Sequence, residues 1–137
     1  MQGGGRAVVL AAVAAGTMMG VIAAPASAAR RPTDGERAAI KRVALRACHP
    51  APGCRYRKAR VSTRNARFAW ADVVGEGFSG VLLKRSSPHS RRFKVVGTQG
   101  GGIGECSYWR ARAPAAVLRD LHVSGLLDDG ATTGRCG

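Results

Sequence analysis

The stretch FAWADVVGEGFSGVLLKR, residues 68–85, decides the fold of this 137-residue chain. Its apolar side chains recur at every second position, which is the period of a β-strand. They are Phe68, Trp70 and Val74 in the first half and Phe78 and Leu82 in the second. The segment Gly-Glu-Gly at 75–77 separates the halves and has the composition of a tight turn. The stretch therefore predicts an antiparallel β-hairpin.

Two catalytic motifs overlap this hairpin, and neither has the context that its chemistry needs. GEGFSG, residues 75–80, has the letters of a dinucleotide-binding loop, but a strand-like VLLKR follows it. Pyrophosphate binding requires a helix N-terminus at that point. Ser79 lies in a segment one glycine short of a nucleophile elbow. We interpret both as parts of a turn and expect no cofactor. Asp72 interrupts the apolar face, and we expect it to pair with an arginine on a neighbouring strand or with a histidine.

Shorter alternating segments flank the hairpin on both sides. Val61 and Thr63 alternate with Ser62, and Phe93 and Val95 alternate with charged residues. Polar connections at 64–66 and 86–90 separate these segments from the hairpin. The pattern predicts four antiparallel strands in a meander.

Two helices are predicted outside the sheet. Thr33 and Glu36 have the spacing of a capping box, which starts a helix. Pro114 is placed to open a second, short helix. The apolar faces are Ile40, Val43, Ala44 and Ala47 in the first helix and Val117, Leu118 and Leu121 in the second. We predict an α+β fold in which the first, amphipathic helix packs on the four-stranded sheet.

The N-terminus has the organisation of a secretory signal peptide. An apolar run at 7–24 follows Arg6 and precedes the small-residue segment PASAA at 25–29. We expect cleavage after Ala28, secretion, and no membrane-spanning segment in the mature chain. The predicted organisation is a signal peptide at 1–28, a linker at 29–32, one domain at 33–125 and a polar tail at 126–137 tethered by Cys136.

Four cysteines follow the predicted cleavage site, and an even count in an exported chain indicates disulfides. Of the three pairings, we prefer Cys48 with Cys54 and Cys106 with Cys136, because the prolines and the glycine of CHPAPGC bend the backbone of a short ring. Zinc binding is disfavoured because no C-x2-C pair is present. A redox-active pair is disfavoured for the same spacing reason.

Several of these segments occur in one order in a group of small exported proteins. They are VST at 61–63, FAW at 68–70, GVLLKR at 80–85, FKVV at 93–96, Cys106 and PAAVLRDL at 114–121. The chain thus resembles small uncharacterised secreted proteins of actinobacteria. The resemblance implies their architecture, namely a signal peptide, a helix, an antiparallel meander and a short C-terminal helix, and it implies no activity.

The chain carries a net charge of +14, and its basic residues cluster in two places. A surface of this charge attracts anionic polymers of the envelope or of extracellular material, although solvated arginines without a ligand are the simpler alternative. No motif for specific nucleic-acid binding is present. The expected contact residues are Arg55, Arg57, Lys58 and Arg60 in the first cluster and Lys84, Arg85, Arg91, Arg92 and Lys94 in the second.

Two other functions stay open at this level. A protease inhibitor could present the loop at 86–90, which begins at Ser86 and ends at Ser90. A small hydrolase would need a nucleophile and a base that the sequence does not place together. We favour the non-enzymatic binding protein.

Overall fold

The computed structural model describes residues 29–49, 52–100, 102 and 104–137, together with Gly16. Apart from Gly16, the predicted signal peptide lies outside the described residues. The elements are α1 (Asp34–Cys48), β1 (Arg55–Val61), β2 (Phe68–Gly75), β3 (Phe78–Arg85), β4 (Phe93–Gln99), α2 (Cys106–Arg110), α3 (Ala115–Asp120), β5 (Ser124–Leu126) and β6 (Thr133–Arg135).

Strands β1 to β4 form an antiparallel sheet in the order β1-β2-β3-β4. The predicted α+β fold with a four-stranded meander is confirmed. Gly75 pairs with Phe78 across the hairpin, and Gly77 in its turn has a φ of 78°. This left-handed conformation has little steric cost for glycine. The tight turn therefore accounts for the Gly-Glu-Gly segment without a dinucleotide-binding loop.

Helix α1 begins where the capping box predicts. The Glu36 amide donates to Thr33 Oγ1 (3.3 Å), and the Thr33 amide donates to Glu36 Oε1 (3.0 Å). Ile40 and Ala44 are fully buried against one face of the sheet. The sheet residues of this first core are Val61, Ala69, Ala71, Val73, Val81, Leu83 and Phe93.

The other face of the sheet is also covered, which the sequence did not predict. Phe68, Trp70 and Leu82 pack against the C-terminal segment that contains α2 and α3, and not against α1. The Trp70 and Trp109 rings meet edge to face, 5.2 Å between centroids. Strand β2 is therefore buried on both sides, with its aromatic side chains in the second core and Ala69, Ala71 and Val73 facing α1. Helix α3 keeps the predicted inward residues, and α2 was not predicted.

The first strand lies earlier in the chain than its pattern suggests. We expected it near Val61 and Thr63, but β1 ends at Val61. Ser62 and Thr63 form instead a turn around the buried carboxylate of Asp120. The Thr63 amide and the Ser62 hydroxyl donate to Asp120 Oδ2 at 2.6 and 2.9 Å. These bonds supply hydrogen-bond donors to a buried carboxyl group, and Ser62 and Thr63 consequently lie beyond the end of β1.

The C-terminal segment is more ordered than a tethered tail. Strand β6 lies within residues 126–137 and pairs antiparallel with β5. Both predicted disulfides are confirmed: Cys48–Cys54 joins the end of α1 to the chain before β1, and Cys106–Cys136 joins α2 to the last residues. In the described part of the chain, no helix is long and apolar enough to cross a bilayer.

The two disulfides differ in the length of chain that they enclose, and this predicts a difference in their contributions to stability. They span 6 and 30 residues, so the chain-entropy relation assigns roughly 2 kcal/mol to Cys48–Cys54 and roughly 3.5 kcal/mol to Cys106–Cys136. Urea unfolding of the Cys48→Ala/Cys54→Ala and Cys106→Ala/Cys136→Ala double variants measures both. A larger loss for the first pair would contradict the assignment.

Candidate functional site

A basic cavity of about 440 Å³ lies at the end of the sheet where the β3–β4 connection begins. It is bordered by both strands and by the loop at 86–90. Among the described residues, no acidic side chain lines it. The lining residues are Arg67, Lys84, Arg85, Ser86, Ser90, Arg92, Lys94 and Val96.

The strand register places two of the cavity's lysines next to each other. Phe68 pairs with Lys84 across β2 and β3, and Lys84 pairs with Lys94 across β3 and β4. Directly paired residues of antiparallel strands project from the same face, so the three side chains form a row. The Lys84 ammonium lies over the Phe68 ring, 5.3 Å from its centroid, which is cation–π geometry.

An irregularity of the β3–β4 ladder gives the cavity its apolar lining. Leu82 pairs with Gly97 and Leu83 with Val95, so Val96 is an extra residue between the two pairs. Such a bulge rotates the extra side chain out of the regular alternation. Val96 packs against the second core and also lines the cavity.

Arg85 does not present its charge to the cavity, which corrects our expectation for this residue. Its side chain is 1% exposed and faces α1, where Nη2 donates to Glu36 Oε2 (2.6 Å). Its Nε donates to the Ala66 carbonyl (2.8 Å) and its Nη1 to the Ser90 carbonyl (3.0 Å). Arg85 therefore holds the β1–β2 connection and the loop at 86–90 in place around the cavity.

Glu36 is the acidic partner of this arrangement. Its carboxylate also binds the Arg30 guanidinium through two bonds of 2.7 and 3.0 Å. The hydrogen bond from Arg30, with those from the Thr33 amide and Arg85, lowers the pKa of Glu36 from 4.5 to about 2, against the opposing effect of burial. The group is thus ionised throughout the neutral range.

Arg67 is a cavity residue that sequence reasoning missed. Its Nε donates to the Arg85 carbonyl (3.1 Å), which leaves the other guanidinium donors near the cavity. Arg67 immediately precedes Phe68, and the register of the hairpin places it beside Arg85 at the end of β3. If the predicted hairpin at 68–85 had been extended by one residue at its start, its register would have placed Arg67 near Lys84 and Arg85.

The two predicted basic clusters lie apart, the first along β1 and most of the second at the cavity. Arg55, Arg57 and Lys58 are exposed on β1, which is the edge opposite β4. Arg60 is engaged internally, since its Nε donates to the Leu121 carbonyl (2.6 Å) and its Nη1 lies 3.2 Å from Asp72 Oδ2. Asp72 thus has the arginine partner that we expected.

In the second cluster, Lys84, Arg92 and Lys94 meet at the cavity. Arg91 is exposed and lies apart from the cavity, with its guanidinium next to Gly35 of α1. It borders a smaller cavity of about 250 Å³ beside Glu36.

The groups required by a hydrolase are dispersed. His49 is the C-cap of α1, His89 lies in the 86–90 loop and His122 lies in a left-handed turn after α3, and all three are exposed. The Ser79 hydroxyl donates to the Gly100 carbonyl (3.3 Å) rather than to a histidine. Among the described residues, no group of three His, Cys, Asp or Glu side chains has metal-binding geometry.

The fold and cavity define a disulfide-bonded α+β protein with a basic site at one end of its sheet. The chain matches no protein-family model, and comparisons with curated proteins and with solved structures found no match.

We expect the Glu36→Gln variant to be destabilised at pH 7 by about 3 kcal/mol, because Arg85 is left buried without a countercharge. The depressed pKa gives stability that is complete above about pH 4.5 and is lost as the pH falls towards 2, so the difference from wild type should shrink over that window. Urea unfolding at several pH values measures it.

Asp34→Asn is the matched control, because Asp34 lies in the same helical turn and its ion pair with Arg37 is exposed. We expect a change within about 0.5 kcal/mol. Equal losses in the two variants would show that the buried pair has no special role.

Proposed function

We propose that this protein is a secreted, non-enzymatic binding protein that retains anionic polymers of the cell envelope or of extracellular material at its basic cavity. The observation that carries the proposal is the convergence of Arg67, Lys84, Arg92 and Lys94 on one concave surface without an acidic neighbour among the described residues. Concavity brings several phosphate or carboxylate groups of a polymer within reach of these charges at once.

The distribution of the acidic residues supports this proposal. Four of them are paired with arginines at distances from 2.6 to 3.2 Å, and none of these pairs includes Arg67, Lys84, Arg92 or Lys94. The acidic members of these pairs are Asp34, Glu36, Asp72 and Asp128. The positive field at the cavity is therefore not cancelled locally.

Secretion is part of the proposal. The two disulfides support it, because such bonds persist in oxidising compartments. The sequence pattern of residues 1–28 supports it independently. The mass of the protein recovered from culture medium tests both, since cleavage after Ala28 and two disulfides each give a defined mass.

The binding proposal predicts retention on immobilised heparin or polyphosphate that weakens steeply with salt. In the Arg92→Glu/Lys94→Glu variant, elution should shift to much lower salt, because contacts at the cavity are lost. The measurement is the eluting salt concentration on one column under one gradient.

A matched variant separates a site from net charge alone. Lys41→Glu/Arg42→Glu makes the same change in charge on exposed residues of α1, away from the cavity. We expect a much smaller shift for this variant. Equal shifts for the two variants would leave only nonspecific charge attraction and would refute the cavity as the binding site.

The loop at 86–90 supports a second candidate, a protease inhibitor. Its tip residues Ser87, Pro88 and His89 are exposed, while the Ser90 amide donates to the Ser87 carbonyl (3.2 Å) and Arg85 holds the Ser90 carbonyl. An exposed loop held at its base is what such an inhibitor presents to a protease. Titration of subtilisin with the protein tests this, since an inhibitor abolishes activity at a fixed molar ratio, and a protein cleaved as a substrate is not one.

A further inference from the structure

We propose that the cavity contains a subsite for a phosphate group, formed by Lys84 and Lys94 with Arg67 and Arg92 beside them. The inference rests on the proposed function and names the chemical group that the cavity recognises. The ligand is a phosphate ester, either free or at the end of an anionic polymer.

The first argument is the pairing of like charges. Lys84 and Lys94 are register partners on adjacent strands, and lysines directly opposite each other destabilise a sheet. Two arginines of the sheet have acidic partners within the protein, since Arg60 binds Asp72 and Arg85 binds Glu36. No such partner lines this cavity among the described residues, so an anion from solution is the group that would relieve the repulsion.

The second argument is that part of the site is held in place before any ligand binds. Lys84 is half-buried over Phe68, and Arg67 is fixed through its Nε to the Arg85 carbonyl. Both side chains consequently lose little freedom on binding an anion. The Arg92 amide donates to Ser90 Oγ (3.1 Å), which ties the start of β4 to the loop that borders the cavity.

The third argument concerns the type of anion. A phosphate monoester carries a charge between −1.5 and −2 and three acceptor oxygens at neutral pH. It can therefore accept from two ammonium groups and a planar guanidinium together, whereas a single carboxylate has two oxygens and one charge. The cavity volume of about 440 Å³ falls within the usual range for small-molecule sites and leaves room for the group that bears the phosphate.

The test uses the oxidised protein and inorganic phosphate as the probe. Thermal unfolding is followed while phosphate replaces chloride at constant ionic strength, with succinate as a dicarboxylate control. We expect phosphate to raise the melting temperature in a saturable manner and succinate to have a much smaller effect. The Lys94→Gln variant should require about tenfold more phosphate for half of the effect, because a charge-assisted contact is lost.

Two variants accompany Lys94→Gln. Lys94→Arg keeps the charge and should keep the phosphate response. Lys41→Gln, on the exposed face of α1, should respond like wild type and so corrects for general effects of phosphate on stability. In chloride alone, Lys94→Gln should be at least as stable as wild type, because the repulsion with Lys84 is removed.

The outcomes separate this inference from the proposed function. An equal phosphate response in wild type and Lys94→Gln overturns the subsite, and so does an equal response to succinate and phosphate. If the wild type is nevertheless retained on heparin through the cavity, the polymer-binding proposal stands without a phosphate subsite. Saturable phosphate binding that needs Lys94, without retention on either polymer, would support the subsite and refute polymer binding.

Discussion

The ion pair between Glu36 and Arg85 is the constraint on which the basic cavity depends. It joins the first turn of α1 to the end of β3, and the same arginine binds the Ala66 and Ser90 carbonyls. The two connections that border the cavity are therefore held by one buried side chain. Because Arg85 is neutralised on the α1 side, the cations that remain at the cavity are those with no acidic neighbour in its lining among the described residues.

Burial of the sheet on both faces explains how so short a chain obtains a stable core. Helix α1 covers one face mainly through Ile40 and its alanines, and the segment from α2 to β6 covers the other, where its Trp109 meets Trp70 of β2. The Cys106–Cys136 disulfide closes the second layer, which otherwise consists of elements of three to six residues. Such short elements gain little from their own hydrogen bonds, so their order depends on packing against Trp70 and Leu82 and on the cross-link.

The charges of the protein divide into two groups with different roles. Arg30, Arg60, Arg85 and Arg110 bind carboxylates and stabilise particular contacts of the fold. Lys84 and Lys94 stand opposite each other, and neither forms an ion pair with a carboxylate among the described residues. Composition does not distinguish these groups, since both contribute to the same high positive charge. They differ only in whether a carboxylate lies within reach of the cation in the folded chain.

The sequence alone determined the features that arise within a few residues of each other. The capping box of Thr33 and Glu36 starts α1 at Asp34, the Gly-Glu-Gly segment turns the hairpin, and a disulfide closes the short ring from Cys48 to Cys54. The four-stranded meander was predicted from the alternation of apolar and polar residues along the chain. The end of β1 was misplaced because Ser62 and Thr63 bind Asp120, which lies 58 and 57 residues further along the chain.

Only the tertiary structure decided which face of the sheet meets which layer, and which cations are free. Arg85 and Glu36 are separated by 49 residues, and nothing near either one indicates the other. Arg67 joins Lys84 and Lys94 through the register of three strands. The physical reason is common to these cases: a carboxylate or a paired strand acts across a few ångströms, whereas the residues it brings together are far apart in the chain.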